Sequence, residues 1–286
     1  MCPVRVICRV MRVSPSGYYA WRKRQASLGV EESKAAAQVK ECFYEHRRRY
    51  GSRRIAAQLK MGRFRVRSLM KQQNLRAIAP KRGCPRTTDS RHGGRISPNL
   101  LKQLAGAWSG AGKVVVGDIT YLALRNGGWC YLATFQDKLT RRIIGWAVDE
   151  RMTAELVVKA LQVALRNGLI RPNAIIHTDR GSQYVADTYR ELLQTRGFRQ
   201  SISAKGNCYD NAQAESFFSR FKAELVENGV FEDVGQARSE TFSYIEGYYN
   251  RIRLHSSLGY KSPTEFEKQL KIKNERSRES FVSTFT

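Results

Sequence analysis

The sequence predicts an α/β protein, a mixed sheet covered by helices, preceded by an all-α region. Apolar residues recur at helical spacing through the first third of the chain, and from about residue 113 they alternate or cluster as in β-strands. Charge divides the chain at the same place. Residues 1–100 hold 24 Lys and Arg against 5 Asp and Glu, or +19 of the total net charge of +25. A basic helical region therefore precedes a nearly balanced core.

The basic region, residues 1–79, has the order of elements that is typical of a helix-turn-helix. A first apolar run ends at Ser14-Pro15, Ser16 can cap a short helix (GYYAWRKR), and residues 31–49 suit a longer one. Gly51-Ser52 then opens RRIAAQLK, and Gly62 separates it from RFRVRSLMKQQNL. Helix, glycine turn and helix predict a DNA-binding region.

Four arginines of this region are candidate contacts to phosphates or bases, namely Arg53, Arg54, Arg65 and Arg67. Exposed arginines on amphipathic helices also serve solubility, so that alternative stays open for each of them. Residues 80–110 follow as a basic linker, rich in proline and glycine near its start, which can track phosphates.

Residues 111–230 predict the sheet. KVVVGDITYLAL, WCYLATF and IIGWAV form a three-strand meander whose first turn is RNGG. A helix from Thr153 to Asn167, a buried strand (NAIIHTD), a helix (ADTYRELLQTR), a strand (RQSIS) and a helix (NAQAESFFSRFKAELVE) follow. Residues 231–270 form a helical extension with one long helix from about Gly235 to Arg251, and residues 271–286 a loose charged tail.

Several classes of protein are excluded by composition. No apolar run approaches the length of a membrane span, and arginines interrupt the start of the chain where a secretory signal would be apolar, so a cytoplasmic protein is expected. The six cysteines form no C-x-x-C pair and the four histidines stand far apart, which argues against a zinc module or a disulfide framework. His177 is expected to pack within its strand, and His255 has no evident physical role.

Three carboxylates stand out in the core. Asp118 lies within the first strand, Asp179 at the end of NAIIHTD, and Glu215 on a polar stripe beside the apolar face of a helix. Each alone is explained as a turn residue or a solvated side chain. Together they can converge, and three oxygen ligands without a His or Cys cluster suit Mg²⁺ or Mn²⁺. Two such ions can support in-line displacement at phosphorus.

The spacing of these residues resembles a known pattern. Thirty-five residues separate Asp179 from Glu215, and Lys222 follows seven positions later. The chain thus resembles the D,D-35-E transposases and integrases of the retroviral-integrase superfamily. GDITYL, HTDRGSQY, SAKGNCYDNAQAESFFSRFKAEL and YYNRIRLHSSLGYKSPTEF are similar to the second-frame (OrfB) product of the bacterial insertion-sequence-three group. With SPSGYYAWRKR, YGSRRIAAQL and VRSLM, the resemblance runs from about residue 7 to residue 267.

The resemblance implies an RNase H-like core that cuts DNA at the ends of an insertion sequence and joins the freed 3′-hydroxyl to another phosphodiester. Asp118, Asp179 and Glu215 would hold two Mg²⁺ or Mn²⁺ ions, and Lys222 would touch DNA near the scissile phosphate. Gln183 and Tyr184 would lie in the active-site loop and bind DNA there.

The partners so implied are double-stranded DNA, as terminal inverted repeats and as target, and further copies of the chain in a homo-oligomer on that DNA. An upstream-frame (OrfA) protein, or a frameshift fusion with it, is the third. The setting is the bacterial nucleoid. Two alternatives remain open: an RNase H-like nuclease that cuts without joining, and a non-catalytic DNA-binding regulator of transposition.

Overall fold

The computed structural model describes residues 3–80, 96–103, 110–203, 212–225 and 230–282. The chain divides into two compact units, Met1–Ile78 and Ala79–Thr286. Most of the expected basic linker and the loop that contains Cys208 lie outside the described residues.

The first unit is helical, as predicted. Its helices are α1 (Val4–Val10), α2 (Pro15–Glu45), α3 (Ser52–Leu59) and α4 (Arg63–Gln72). Two details differ from the expectation. The cap of α2 is Ser14, whose Oγ accepts from the Gly17 N–H at 2.9 Å. The two helices expected between residues 17 and 49 are one, because the stretch between them contains no proline that would break the helix.

The core of this unit joins α2, α3 and α4. Its fully buried side chains include Val39, Ile55, Val66 and Leu69. Helix α3 ends at Lys60 in the left-handed region, with φ of 52°, and α4 begins after Gly62. A tight turn between two packed helices confirms the helix-turn-helix-like arrangement.

The second unit contains a six-stranded sheet. Its strands are β1 (Val114–Leu124), β2 (Trp129–Asp137), β3 (Ile143–Asp149), β4 (Ile175–Thr178), β5 (Arg199–Ile202) and β6 (Val230–Phe231). The order is β3-β2-β1-β4-β5, with β6 paired to β1. The meander of β1, β2 and β3 is antiparallel. Strands β4 and β6 each pair in parallel with β1, and β5 pairs in parallel with β4. The mixed sheet is as predicted, except that the two-residue β6 carried no sequence signal.

Helices cover both faces of the sheet. They are α5 (Leu100–Gln103), α6 (Ala154–Arg166), α7 (Asp187–Thr195), α8 (Ala212–Leu225), α9 (Val234–Phe242) and α10 (Pro263–Val282). One core contains side chains of α6 and α7, including Leu156 and Tyr189. The other contains Phe217 and Phe221 of α8, with Tyr244 from a π-helical segment, Ser243–Tyr249.

Two expectations for the C-terminal part are wrong. The long helix expected from Gly235 to Arg251 is α9 followed by the π-helical segment, which widens the turn and buries Tyr244 and Tyr249 together. The stretch expected as a loose tail is helical as far as Val282. Its first turns are supported by an ion pair between Glu267 and Lys271, four residues apart. None of the described helices is both long and apolar enough to cross a bilayer.

Candidate active site

Strands β1 and β4 bring Asp118 and Asp179 to neighbouring positions. Their parallel register pairs Val116 with His177. Two residues further along each chain come Asp118 and Asp179. Because paired positions of adjacent strands lie about 4.8 Å apart, continuing this register places the two carboxylates side by side where β4 ends. Both residues are half-buried.

Asp118 lies on the face of the sheet that α8 covers. Leu122 and Leu124, four and six residues after Asp118 on β1, pack in one core with Phe217 and Phe221 of α8. Since side chains two residues apart on a strand share a face, Asp118 shares theirs. Glu215, exposed in the first turn of α8, thus belongs to the helix that covers Asp118.

The beginning of α8 is anchored near the start of β1. The Gln213 Nε2 donates to the carbonyl oxygens of Asp137 and Lys138, each at 3.3 Å. Lys138 in turn donates its N–H to the Val114 oxygen at 2.9 Å. Glu215 follows Gln213 by two positions, so this contact helps to fix how far along the sheet the helix presents the third carboxylate.

The three carboxylates do not form a closed cluster. Asp118 Oδ1 accepts from the Ile119 N–H at 2.9 Å, and Asp179 Oδ1 from the Gly181 N–H at 3.0 Å. Among the described residues, the only set of three possible metal-ligating side chains with ligand atoms within 4.8 Å of one another is Cys42, Glu45 and His46 in the first unit. At least one distance within the triad therefore exceeds 4.8 Å. The three carboxylates, which the sequence suggested could converge, therefore do not all lie within 4.8 Å of one another.

The arginines of the first unit differ in their surroundings. Arg53 and Arg67 are exposed. Arg54 is half-buried, with its guanidinium carbon 5.6 Å from the centre of the Tyr50 ring. Arg65 is exposed but forms an ion pair with Glu32 at 3.1 Å. Arg53 and Arg67 are the better candidates for phosphate contacts, because Arg65 would first have to leave its carboxylate.

Comparisons with known proteins agree with both units. Residues 31–83 match an HTH-like domain, and residues 109–208 and 196–263 match two integrase core domain families. The chain is 39% identical over 272 residues to transposase InsF for insertion sequence IS3A of Escherichia coli (strain K12), covering 92% of this chain and 93% of the relative. The chain belongs to the IS3 family of transposases. It is also 40% identical over 269 residues to an uncharacterized 31 kDa protein of insertion element IS600 of Shigella sonnei, covering 92% of this chain and 98% of that protein.

Solved structures similar to this transposase are more distant. The simian T-cell lymphotropic virus intasome, in complex with PP2A regulatory subunit B56 gamma, gives a TM-score of 0.46 at 15% identity, covering 76% of this chain and 74% of that chain. The catalytic domain of Mos1 transposase, with Raltegravir and Mg, gives 0.42 at 17% identity, covering 52% of this chain and 78% of that chain.

The loop after Asp179 is fixed to the transposase core. The Gln183 Nε2 donates to the Met152 carbonyl at 3.1 Å, and the Arg180 Nε to the Ser203 carbonyl at 3.0 Å. A Cβ on Gly181 would lie 2.9 Å from Gln183 Oε1 and 3.2 Å from Asp179 Oδ1, so a side chain there would push on the carboxylate. Gln183 is half-buried and engaged, and in this conformation its amide holds the loop in place.

Tyr184 has a different place from the one expected. Its side chain is 1% exposed, and its ring packs edge-on against Tyr189, with centroids 5.5 Å apart. Direct contact with DNA is therefore not available to it here. Burial, and next the charges of Asp179 and Asp118, raise the pKa of Tyr184 well above the ordinary value.

His177 supports β4, as expected. It is fully buried, and its two ring nitrogens lie 2.8 Å from Ser201 Oγ and 3.0 Å from Ser203 Oγ. These bonds link β4, which leads to Asp179, to the end of β5. The two serines were missed by sequence reasoning, although their alternation along one strand is a readable signal.

A buried ion pair that the sequence did not reveal fixes α8 from the other side. Arg253 donates from Nε to Glu224 Oε2 at 2.8 Å and from a terminal nitrogen to Oε1 at 2.5 Å, and the Tyr244 hydroxyl donates to Oε2 at 2.8 Å. The side chains of Arg253 and Glu224 are 3% and 1% exposed. Glu224 follows Glu215 by nine residues on the same helix. A glutamate between Phe221 and Leu225, on the apolar side of the helix, was the only signal for it.

Lys222 is exposed on α8, seven residues beyond Glu215. At about 100° per residue, seven residues return a side chain to nearly the same side of the helix. Lys222 thus shares with Glu215 an exposed stripe of α8, beside the phenylalanines of the core.

Proposed function

We propose that Asp118, Asp179 and Glu215 are the metal-ligating residues with which this transposase cuts and joins DNA. The observation that supports this is the register of β1 and β4, which, continued by two residues, brings two half-buried aspartates beside each other. Asp118 is also on the sheet face against which α8, the helix of Glu215, packs. A hard divalent cation suits this site because every donor is a carboxylate oxygen. When bound, two Mg²⁺ or Mn²⁺ ions would supply Lewis acidity and a more acidic water for displacement at phosphorus.

The protein residues serve mainly to position the reacting groups. The backbone bonds of Asp118 and Asp179 and the anchors at Gln213 and Glu224 hold the carboxylates on a rigid frame. Water attacks a phosphodiester at the end of the element and releases a 3′-hydroxyl. That hydroxyl then attacks a phosphodiester of target DNA, forming one P–O bond as another breaks, with no covalent bond to protein.

DNA is held by basic groups on both units in this proposal. Lys222 lies on the same side of α8 as Glu215, where its ammonium can offset the charge of a phosphate close to three carboxylates. In the first unit, Arg53 and Arg67 contact the terminal inverted repeat. We infer that the protein works as a homo-oligomer on DNA, together with or fused to an upstream-frame partner, on the bacterial nucleoid in the cytoplasm.

The test is cleavage and joining by the full chain on labelled duplexes that carry the ends of its own element, with Mg²⁺. Asp118→Asn, Asp179→Asn and Glu215→Gln should each slow cleavage by at least about 10³-fold, the equivalent of about 4 kcal/mol of lost transition-state stabilisation. Asp187→Asn, an exposed aspartate at the start of α7, is the matched control and should cleave at the wild-type rate.

Two results would overturn the proposal. One is cleavage that persists in the triad variants while the same duplexes are still bound. The other is full activity in excess chelator. The products also separate the alternatives, since products that are cut and never joined indicate a nuclease. Binding without any cleavage by wild type, with or without the upstream-frame protein, indicates a regulator.

A further inference from the structure

The outer face of α4 combines one aromatic and two basic side chains. Val66, Leu69 and Met70 are buried against the rest of the unit. On the opposite side of the helix, at positions i, i+3, i+4 and i+7, lie four exposed residues: Phe64, Arg67, Ser68 and Lys71. Helix α4 is the second helix of the helix-turn-helix-like pair, the one whose first turns reach base edges in such domains.

Phe64 is the unusual member of this face. Its exposed fraction is 83%, higher than that of any other large hydrophobic residue in the described part of the chain. It is the second residue of α4 and has Arg63 and Arg65 on either side in sequence. An apolar ring surrounded by cationic groups fits a partner that is polyanionic and also offers apolar groups. In the major groove of DNA, the 5-methyl group of thymine is such an apolar group between two rows of phosphates.

We propose that Phe64 contacts the methyl group of a thymine in the major groove of the terminal repeat, with Arg67 and Lys71 on the DNA beside it. This rests on the proposed function, in which the first unit binds the ends of the element. Arg65 has a different place, because its ion pair with Glu32 turns it toward α2. Phe64 thereby gives the first unit a sequence preference that phosphate contacts alone do not supply.

The experiment compares thymine with uracil, which pairs identically but lacks the methyl group. Two 40-bp duplexes with the sequence of the element's end are synthesised, one with thymine and one with uracil throughout, and affinities for the full chain are measured at fixed salt. Loss of one buried methyl contact corresponds to about fourfold weaker binding. Wild type should bind the thymine duplex about fourfold or more tightly than the uracil duplex, and Phe64→Ala should lose that factor.

The matched control is Tyr44→Ala. Tyr44 is an exposed aromatic of the same unit, but it lies on α2 twelve residues beyond Glu32, the residue that meets Arg65 near the start of α4. Twelve residues of helix span about 18 Å. Tyr44→Ala should therefore keep the thymine preference of wild type. Equal far-UV circular dichroism and melting of the variants show that the fold is kept.

The outcomes separate this inference from the proposed function. A thymine preference that disappears in Phe64→Ala and persists in Tyr44→Ala supports the contact. A wild type without preference, or a Phe64→Ala variant that keeps the full preference, overturns it while DNA binding stands. Failure of wild type to bind either duplex overturns the proposed DNA contact of the first unit and this inference with it. Binding to anionic phosphatidylglycerol vesicles is measured as the last comparison. If Phe64→Ala weakens binding to the vesicles but not to DNA, the thymine contact is also overturned.

Discussion

Replacement of Arg253 by methionine should destabilise the second unit by about 3–5 kcal/mol, since it leaves a buried carboxylate without its partner. Methionine keeps much of the apolar volume but none of the donors. Glu224, 1% exposed, would lose both bonds from Arg253 and keep the bond from the Tyr244 hydroxyl. Two lost bonds to a charged group, at about 1.5–3 kcal/mol each, give a loss of similar size.

The loss should also depend on pH in a definite direction. Without Arg253, burial raises the pKa of Glu224 in the folded state above its unfolded value of about 4.3. A group with a raised folded pKa contributes most stability below its unfolded pKa, and that contribution disappears as pH rises through the folded pKa. The penalty of Arg253→Met should therefore be larger at pH 8 than at pH 5.

Urea unfolding of the full chain, followed by tryptophan fluorescence, measures this, since Trp129 and Trp146 lie in the second unit. The double variant Glu224→Gln with Arg253→Met completes a mutant cycle and should recover much of the loss, because no charge remains buried. A single-variant loss below about 1 kcal/mol at both pH values would refute the reasoning, as would additive losses in the double variant. Arg125, which pairs with Glu232 at the surface, is the control, and Arg125→Met should cost under about 1 kcal/mol.

Three further predictions concern packing, thiols and acid stability. Gly145→Ala should lower the stability of the second unit by about 1–3 kcal/mol, because the added Cβ would lie 2.3 Å from a backbone oxygen of α6. Gly29→Ala should instead stabilise α2, because a Cβ there meets nothing within 4 Å and alanine favours helix more than glycine does. Thermal melting measures both effects. Burial raises the thiol pKa of Cys42 and Cys130 to about 11, so mass spectrometry after iodoacetamide at pH 8 should find both unmodified until urea is added. Burial opposes ionisation of Glu267, but hydrogen bonds from an arginine and a lysine outweigh it and lower its pKa. The ionised Glu267 therefore stabilises the fold above its unfolded pKa of about 4.3, and this stabilisation is lost as the pH falls through the lower folded pKa. In Glu267→Gln, the free energy of unfolding should consequently fall less steeply with pH below about pH 4 than in wild type.

Contradictory results are equally specific for these three. A Gly145→Ala variant that melts with wild type would mean that α6 moves away at little cost. Labelling of Cys130 in the native state would mean that β2 opens to solvent. An unchanged acid limb in Glu267→Gln would mean that its two cationic partners contribute nothing to the ionised form.

Local signals in the sequence were enough for most elements. The Asn-Gly turn after β1 has Asn126 accepting from the Gly128 N–H at 2.9 Å, as an Asx-stabilised turn requires. Periodicity identified α3 and α4 and the glycines that separate them. Where the prediction failed, local preferences already allowed a helix. The stretch between the two helices expected within α2 contains no proline, and the lysine, glutamate and arginine residues of α10 favour helix.

For the candidate site too, the sequence predicted some features and the structure was needed for others. Asp118, Asp179 and Glu215 were identifiable from residue type and spacing, since a carboxylate within or at the end of a buried strand is costly without a partner. That Asp118 and Asp179 share a row depends on the register of two strands about sixty residues apart. The ring of Tyr184, expected at the DNA, is instead part of the core. A single residue type cannot reveal this, because the burial of an aromatic ring depends on what packs over it.

By itself the sequence determined the kinds of element, their order and the three carboxylates, because backbone preference and apolar periodicity act over a few residues. Only the tertiary structure decided which distant groups meet. Arg253 reaches Glu224 across 29 positions, and Gln213 reaches the end of β2 across 76. Such pairs are fixed by packing of the whole core, in which an unpaired buried charge or amide would be too costly to remain. They hold α8, the helix that carries Glu215, against the face of the sheet that includes Asp118.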